Sequence, residues 1–398
     1  MVRPLLRNRQ FMWFWVGQTV SRLGDACFGL TLAWMIMDLT DSAVVLGSVM
    51  LAMAIPETAL SLFGGGLVDR LDLRKLMAAT ETLAGILTGS LWVLHLTGHL
   101  QLWHIYVFAV AFGTVEAVFS PIYLSAMPRL VDDEGLPAAN MLFSSAEQLV
   151  FVLGPAVGGF LIHSWGAPTV IALDAVTFFF SAVCAVAIKG PLHNEEASDE
   201  PFWQSIGSLF KYLRKKPIVW SLLAIRGLGN VGIAPFEVLL VVWVRQSMHA
   251  GPEVLGLINT VLSLGTLAGC FLGFPLRTWT SGKKVLAANL VLGLLLVLFP
   301  AITWLPLAGV NIFFIGYLLG AEQVLVDLLY QRVVDQGWLG RVASARVLVS
   351  QSLRPFAQGL SGWVAALAGV GPAVIAGGCV LSLTAVATGK FTQLGSAE

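Results

Sequence analysis

Among the ionisable side chains inside long apolar runs of this 398-residue chain, eleven stand out. They are Arg22, Asp25, Glu57, Glu116, Glu147, Asp174, Arg226, Glu237, Glu322, Asp327 and Arg354. An ionised group at the centre of a bilayer costs at least about 2.5–3.5 kcal/mol on insertion scales, so such groups are retained for pairing, substrate or proton work. Asp25, Glu116 and Glu322 fall near the middle of their runs, where loss of water favours taking up a proton. Arg22 precedes Asp25 by three residues, on the same helical face, and can hold it ionised until substrate or proton intervenes. Asp25 with Glu116 is the first choice for proton coupling, with Glu322 third and Arg22 as their electrostatic partner. Arg226 and Glu237 lie 11 residues apart on one face, about 16 Å along a helix axis, too far to pair with each other. Together with Asp327 they are read as cavity charges. Asp174, Glu147 and Arg354 are read as structural, and Glu57 is open to either role.

Other chemistry finds little support. Cys27, Cys184, Cys270 and Cys379 lie in apolar runs without CxxC spacing and are packing residues. The six histidines show no metal-ligand interval, so no metal or cofactor is expected. Trp34, Met35, Met37, Phe112 and Phe119 can offer a flexible apolar binding surface, although packing is the commoner use of such residues. An intramembrane enzyme or receptor is a remote alternative, since neither a nucleophile motif nor a phosphate-binding loop occurs.

The elements that carry these residues follow from composition. The chain is 57% hydrophobic and 12% charged, against about 25% charged in a soluble domain. Lipid must therefore be much of its solvent. The formal net charge is zero, which gives no global field for nucleic acid. A spanning helix needs about 20 apolar residues. Twelve segments qualify: 11–36, 42–67, 74–96, 102–127, 138–163, 168–188, 217–245, 254–276, 283–304, 307–331, 343–367 and 370–390. The runs are continuous rather than alternating, which predicts helices and an all-α integral membrane fold. Phe11 to Ile36 is too long for a signal peptide and stays as the first span.

Basic residues cluster in every second connection, from Arg3, Arg7 and Arg9 through Arg74 and Lys75 to Lys390. By the positive-inside rule both termini are cytoplasmic, in a multi-pass protein of the cell inner membrane. The one long polar stretch, 189–216, begins with acidic residues. It continues with Phe202, Ile206, Leu209, Phe210 and Leu213 at helical spacing, an amphipathic helix on the inner surface. It links an N-terminal bundle, 1–188, to a C-terminal bundle, 217–398. Weak echoes relate the halves: Leu23-Gly24-Asp25 to Leu228-Gly229-Asn230, Arg129 to Asp132 with Arg332 to Asp335, and Pro155 with Pro355. They predict two pseudo-symmetric six-helix bundles with a site between them.

Two motifs carry a resemblance. The loop between spans 2 and 3 contains Gly65, Asp69, Arg70, Arg74 and Lys75 at the spacing of a cytoplasmic gate motif. Span 5 contains Gly154, Pro155, Gly158 and Gly159, similar to a motif associated with antiporters. On these the chain resembles the major facilitator superfamily over essentially its whole length, Asp72 and Leu73 departing from the loop pattern. A finer resemblance, on the stretches beginning LRNRQ, SPIYL and LGRVAS, is to drug:proton antiporters that include macrolide and siderophore exporters. The arginine that other antiporter branches place in span 4 is absent. The resemblance implies that spans 1, 4, 7 and 10 line a central cavity, and seven of the eleven charges fall on them. It implies efflux of a drug-like amphipathic molecule by proton antiport and alternating access, a multidrug-resistance activity, with protons and membrane lipids as partners of a monomer. Sodium in place of protons, and a lysophospholipid cargo without obligatory proton coupling, are the alternatives. On the residues alone, Asp69 beside Arg70, Arg74 and Lys75 can form an ion-pair latch. Pro155 with its neighbouring glycines allows a bend and close helix packing.

Overall fold

The computed structural model describes residues 5–68, 72–132, 134–189, 212–214, 216–274, 279–335 and 338–391. Twelve long helices run through them: α1 (Arg9–Thr40), α2 (Ala43–Val68), α3 (Leu73–Leu96), α4 (Leu102–Leu130), α5 (Leu136–Trp165), α6 (Ala167–Ala187), α7 (Pro217–Val242), α8 (Pro252–Leu272), α9 (Ser281–Leu298), α10 (Leu305–Val333), α11 (Leu339–Ala368) and α12 (Val370–Phe391). α7 continues through a π turn, Trp243–Ser247.

Local chemistry sets their ends. Asn8 caps α1, its Oδ1 accepting from the amides of Gln10 and Phe11 at 3.1 and 3.2 Å. Its Nδ2 donates to the Leu130 carbonyl at 2.8 Å and ties α1 to the end of α4. Asp72, the departure from the loop pattern, caps α3 by accepting from the Arg74 amide at 3.0 Å. Gly166 and Gly369 take φ of 82° and 94°, left-handed backbone that ends α5 and α11 and starts the next helix at once.

Eleven of the helices are long and apolar enough to cross a membrane. The remaining one, α11, has 30 residues but includes Arg341, Arg346 and Arg354. It is long enough to span, and at least two of those arginines have acidic partners in neighbouring helices. The outward faces are apolar, Phe271 and Leu367 standing 82% and 86% exposed. Such surface belongs against lipid.

The chain divides into two units. Unit 1 comprises Met1–Asp41, Val49–Ser198 and Ala250–Thr260, and unit 2 comprises Ser42–Ser48, Asp199–His249 and Val261–Glu398. In unit 1, α3 packs on α6 and α4, and α1 packs on α5 and α6. In unit 2, α9 packs on α12 and α10, and α7 packs on α11 and α12. The second scheme is the first moved on by six helices, as the sequence echoes predict. An apolar cluster closes one end of each unit, built on Phe11, Phe14, Met77 and Phe143 in the first and on Val219, Leu222, Val285 and Leu329 in the second.

Candidate functional site

α1 places Gln18, Ser21 and Asp25 on one face, at intervals of three and four residues, with Arg22 beside them. α3 brings Glu81, α4 brings Glu116, and α6 brings Asp174 and Ser181, seven residues apart on one side of that helix. Gly24 lets α6 come this close. A Cβ there would stand 2.5 Å from Asp174 Oδ1. The result is a cavity within unit 1 lined by Gln18, Ser21, Arg22, Asp25, Glu81 and Glu116, with Phe119 and Phe178 at its apolar side.

Glu81 is the most thoroughly held group. Its Oε1 accepts from Gln18 Nε2 at 2.9 Å and from Ser181 Oγ at 2.8 Å, and its Oε2 faces Ser21 Oγ at 3.2 Å. Gln18 also donates to Ser181 Oγ at 3.1 Å. Arg22 Nε lies 3.6 Å from Glu147 Oε1 on α5 and interacts electrostatically with Asp25, Glu81 and Glu116. Asp174 is 1% exposed, with its Oδ1 at 3.5 Å from the Thr177 hydroxyl. Its Oδ2, Asp25 Oδ1 and Gln18 Oε1 are buried without a hydrogen-bond partner.

Unit 2 is built differently. Arg226 NH1 on α7 donates to Glu322 Oε2 on α10 at 3.2 Å. Arg354 on α11 puts Nε and NH2 on Glu237 Oε2 on α7, at 3.1 and 2.7 Å. Arg346 on α11 donates to Asp327 on α10. Arg226 and Glu237, too far apart to pair with each other, thus each find another partner. A second cavity, lined by Arg226, Asn230, Asn289 and Glu322, surrounds the first of these pairs.

The structure therefore brings Arg22, Asp25 and Glu116 together in one unit, and Arg226 and Glu322 in the other. Of the loop motif, Gly65 lies in α2, and Arg74 NH1 donates to the Ile188 carbonyl at 3.3 Å. Lys75 lies in the first turn of α3, while Asp69 and Arg70 lie outside the described residues. In the α5 motif Gly158 lies against α1, where an added Cβ would come within 2.9 Å of Cys27 Cα. One at Gly159 would come within 2.9 Å of Gly256 Cα in the first turns of α8. Most of the amphipathic segment is also outside the description. Its last residues, Tyr212 and Leu213, are buried, and Tyr212 stacks on Trp338 at 4.5 Å.

Trp34, Met35 and Met37 are buried at 8%, 1% and 0% exposure, so they pack rather than offer an open surface. Phe112 is buried between Phe108 and Phe178 in an aromatic row. Among the candidate rings, Phe119 borders the polar cavity. Glu81, Gln18, Ser21 and Ser181 escape a reading of the sequence alone. Glu81 lies only eight residues into α3, behind Arg74 and Lys75, and reads as interfacial there. The signal available was Gln18 and Ser21 on the Asp25 face of α1. Among the described residues, no group of His, Cys, Asp and Glu is arranged to hold a metal ion.

Twelve long helices in two pseudo-symmetric sets, with ionisable groups held inside each, define a polytopic membrane transporter. A sequence model of the Major Facilitator Superfamily matches residues 14–358, and the chain belongs to that family. It is a transporter of small molecules, not an enzyme. It is 25% identical over 406 residues to the uncharacterized MFS-type transporter YfiS of Bacillus subtilis, covering 98% of this chain and 94% of that protein. It is 22% identical over 346 residues to macrolide efflux protein A of Streptococcus pyogenes, covering 84% of each. Its fold is similar to that of a bacterial homologue of the iron transporter ferroportin, crystallised in an inward-facing state. There the TM-score is 0.74 at 16% identity, over 96% of this chain and 98% of that one.

Proposed function

We propose that this protein exports an amphipathic small molecule of macrolide type from the cell by proton antiport, and that unit 1 carries the proton. The observation that carries this reading is the contrast between the two units. In unit 2 the acids Glu237, Glu322 and Asp327 each have an arginine partner. In unit 1 the carboxyls of Asp25, Glu81 and Glu116 share one cavity, lined by a single arginine, Arg22. Carboxyls packed together in low dielectric with too little positive charge cannot all remain ionised. At least one of them has to bind a proton and can give it up when the surroundings change. A unit whose acids are already neutralised by arginine lacks that freedom.

Efflux as the direction rests on the similarity to the streptococcal macrolide exporter and on the α5 motif. Basic residues in alternate connections support a cell-membrane protein with both termini in the cytoplasm. Alternating access by a monomer then exposes the unit 1 cavity first to one side and then to the other.

The test is transport of radiolabelled erythromycin into everted membrane vesicles, with and without an uncoupler. Uptake that collapses when the proton gradient is dissipated supports the reading. Uptake indifferent to the gradient removes proton antiport and favours a cargo moved without it.

A further inference from the structure

We propose that Glu81 is a proton-carrying residue of this transporter, exchanging its proton with Asp25 by way of the Ser21 hydroxyl. The inference rests on proton coupling as the function and assigns it a third group, on a different helix from Asp25 and Glu116.

The geometry treats the two oxygens of Glu81 differently. Oε1 is committed as an acceptor, to the Gln18 amide at 2.9 Å and the Ser181 hydroxyl at 2.8 Å. Ser181 donates to Oε1 while its own oxygen accepts from Gln18 at 3.1 Å. Among the described residues, Oε2 is hydrogen-bonded to the Ser21 hydroxyl alone, at 3.2 Å. A hydroxyl can donate or accept. With Glu81 ionised, Ser21 donates to Oε2. With Glu81 protonated on Oε2, the carboxyl donates and Ser21 accepts. Both states keep their hydrogen bonds, so the nest changes protonation without leaving a buried polar atom of Glu81 unpaired. A purely structural carboxylate does not need that reversible contact.

The surroundings give the proton somewhere to go. Ser21 lies four residues before Asp25 on the same face of α1, about 6 Å along the axis. Ser21, Asp25, Glu81 and Glu116 all line one cavity. Gln18 is 1% exposed and lines the same cavity, and its Oε1 accepts no hydrogen bond, an open acceptor beside the path. The charged and titratable groups that interact electrostatically with Glu81 are Arg22 and Asp25 from α1, Glu116 from α4, and Asp174 and Cys184 from α6.

Two readouts test this. The first needs no substrate: acid-minus-alkaline infrared difference spectra of the full-length protein in lipid. Glu81→Gln is expected to remove one protonated-carboxyl component, and Ser21→Ala to shift that component by deleting its hydrogen-bond acceptor. A Glu81→Gln spectrum identical to wild type overturns the assignment. The second is erythromycin transport driven by an imposed pH gradient in proteoliposomes. Glu81→Gln is expected to slow it by at least about tenfold, while Glu81→Asp retains it with a displaced pH profile. If wild type transports and Glu81→Gln matches it in rate and pH profile, Glu81 carries no proton. If wild-type protein itself ignores the gradient, the exporter reading fails first and this proposal with it.

Discussion

Arg226 and Glu322 make a single contact at 3.2 Å, and the Glu322 side chain is only 8% exposed. Removing one partner of such a pair leaves the other buried and uncompensated, which costs about 3–5 kcal/mol. Arg226→Met is therefore expected to lower the melting temperature in detergent sharply, and Arg226→Met with Glu322→Leu to restore most of it. Equal destabilisation by the single and double variants would mean that an unpaired, buried Glu322 is not the source of the loss. At this scale the sequence marks the residues that burial alone singles out. Asp25, Glu116 and Glu322 stand out as mid-span acids, and Arg22, Asp25 and Glu116 do meet electrostatically. Partners were illegible because they come from other helices. Nothing in spacing along α7 says that Arg226 meets α10 or that Glu237 meets Arg354. Glu81 was hidden for the same reason, since its donors Gln18 and Ser181 lie 63 and 100 residues away.

Element ends and crossings carry two further expectations. Gly158 lies where any side chain would strike the α1 backbone at Cys27. Gly158→Val is expected to cost about 1–3 kcal/mol through overpacking, read as a lower yield of folded protein and a lower melting temperature. Unaltered stability would mean that α5 and α1 are not closely apposed there. At the other expected repeat, Lys216 at the start of α7 lies 3.0 Å from Asp335 after α10. Asp335 is held below the ordinary carboxylate range by Lys216 and then by the Tyr212 hydroxyl, and Lys216 is raised by Asp335. A lowered carboxyl stabilises the fold above its unfolded pKa, near 4, and that gain is lost as pH falls through the lowered value. The difference in melting temperature between wild type and Asp335→Asn should thus be present at neutral pH and shrink below about pH 4. A difference independent of pH would remove the ion pair as its cause. The twelve helices themselves were readable in the sequence because a bilayer forces continuous apolar runs about 20 residues long. Their extensions, such as the start of α1 at Arg9, were not, because a capping residue such as Asn8 decides them.

Across the whole molecule, the two units share a helix-packing scheme and differ in charge. Duplication accounts for the scheme, α1 on α5 and α6 repeated as α7 on α11 and α12. The difference lies in how the acids are paired: with arginines in unit 2, and crowded around one arginine in the unit 1 cavity. On the proposed function, this carboxyl cluster takes the proton that drives export. This is tested most directly by reconstituting wild type and the Asp25→Asn, Glu116→Gln double variant in proteoliposomes. Erythromycin flux is then followed as the imposed pH gradient is raised. Flux is expected to grow with the gradient in wild type and to stay flat in the double variant. Flux that climbs with the gradient equally in both would contradict it.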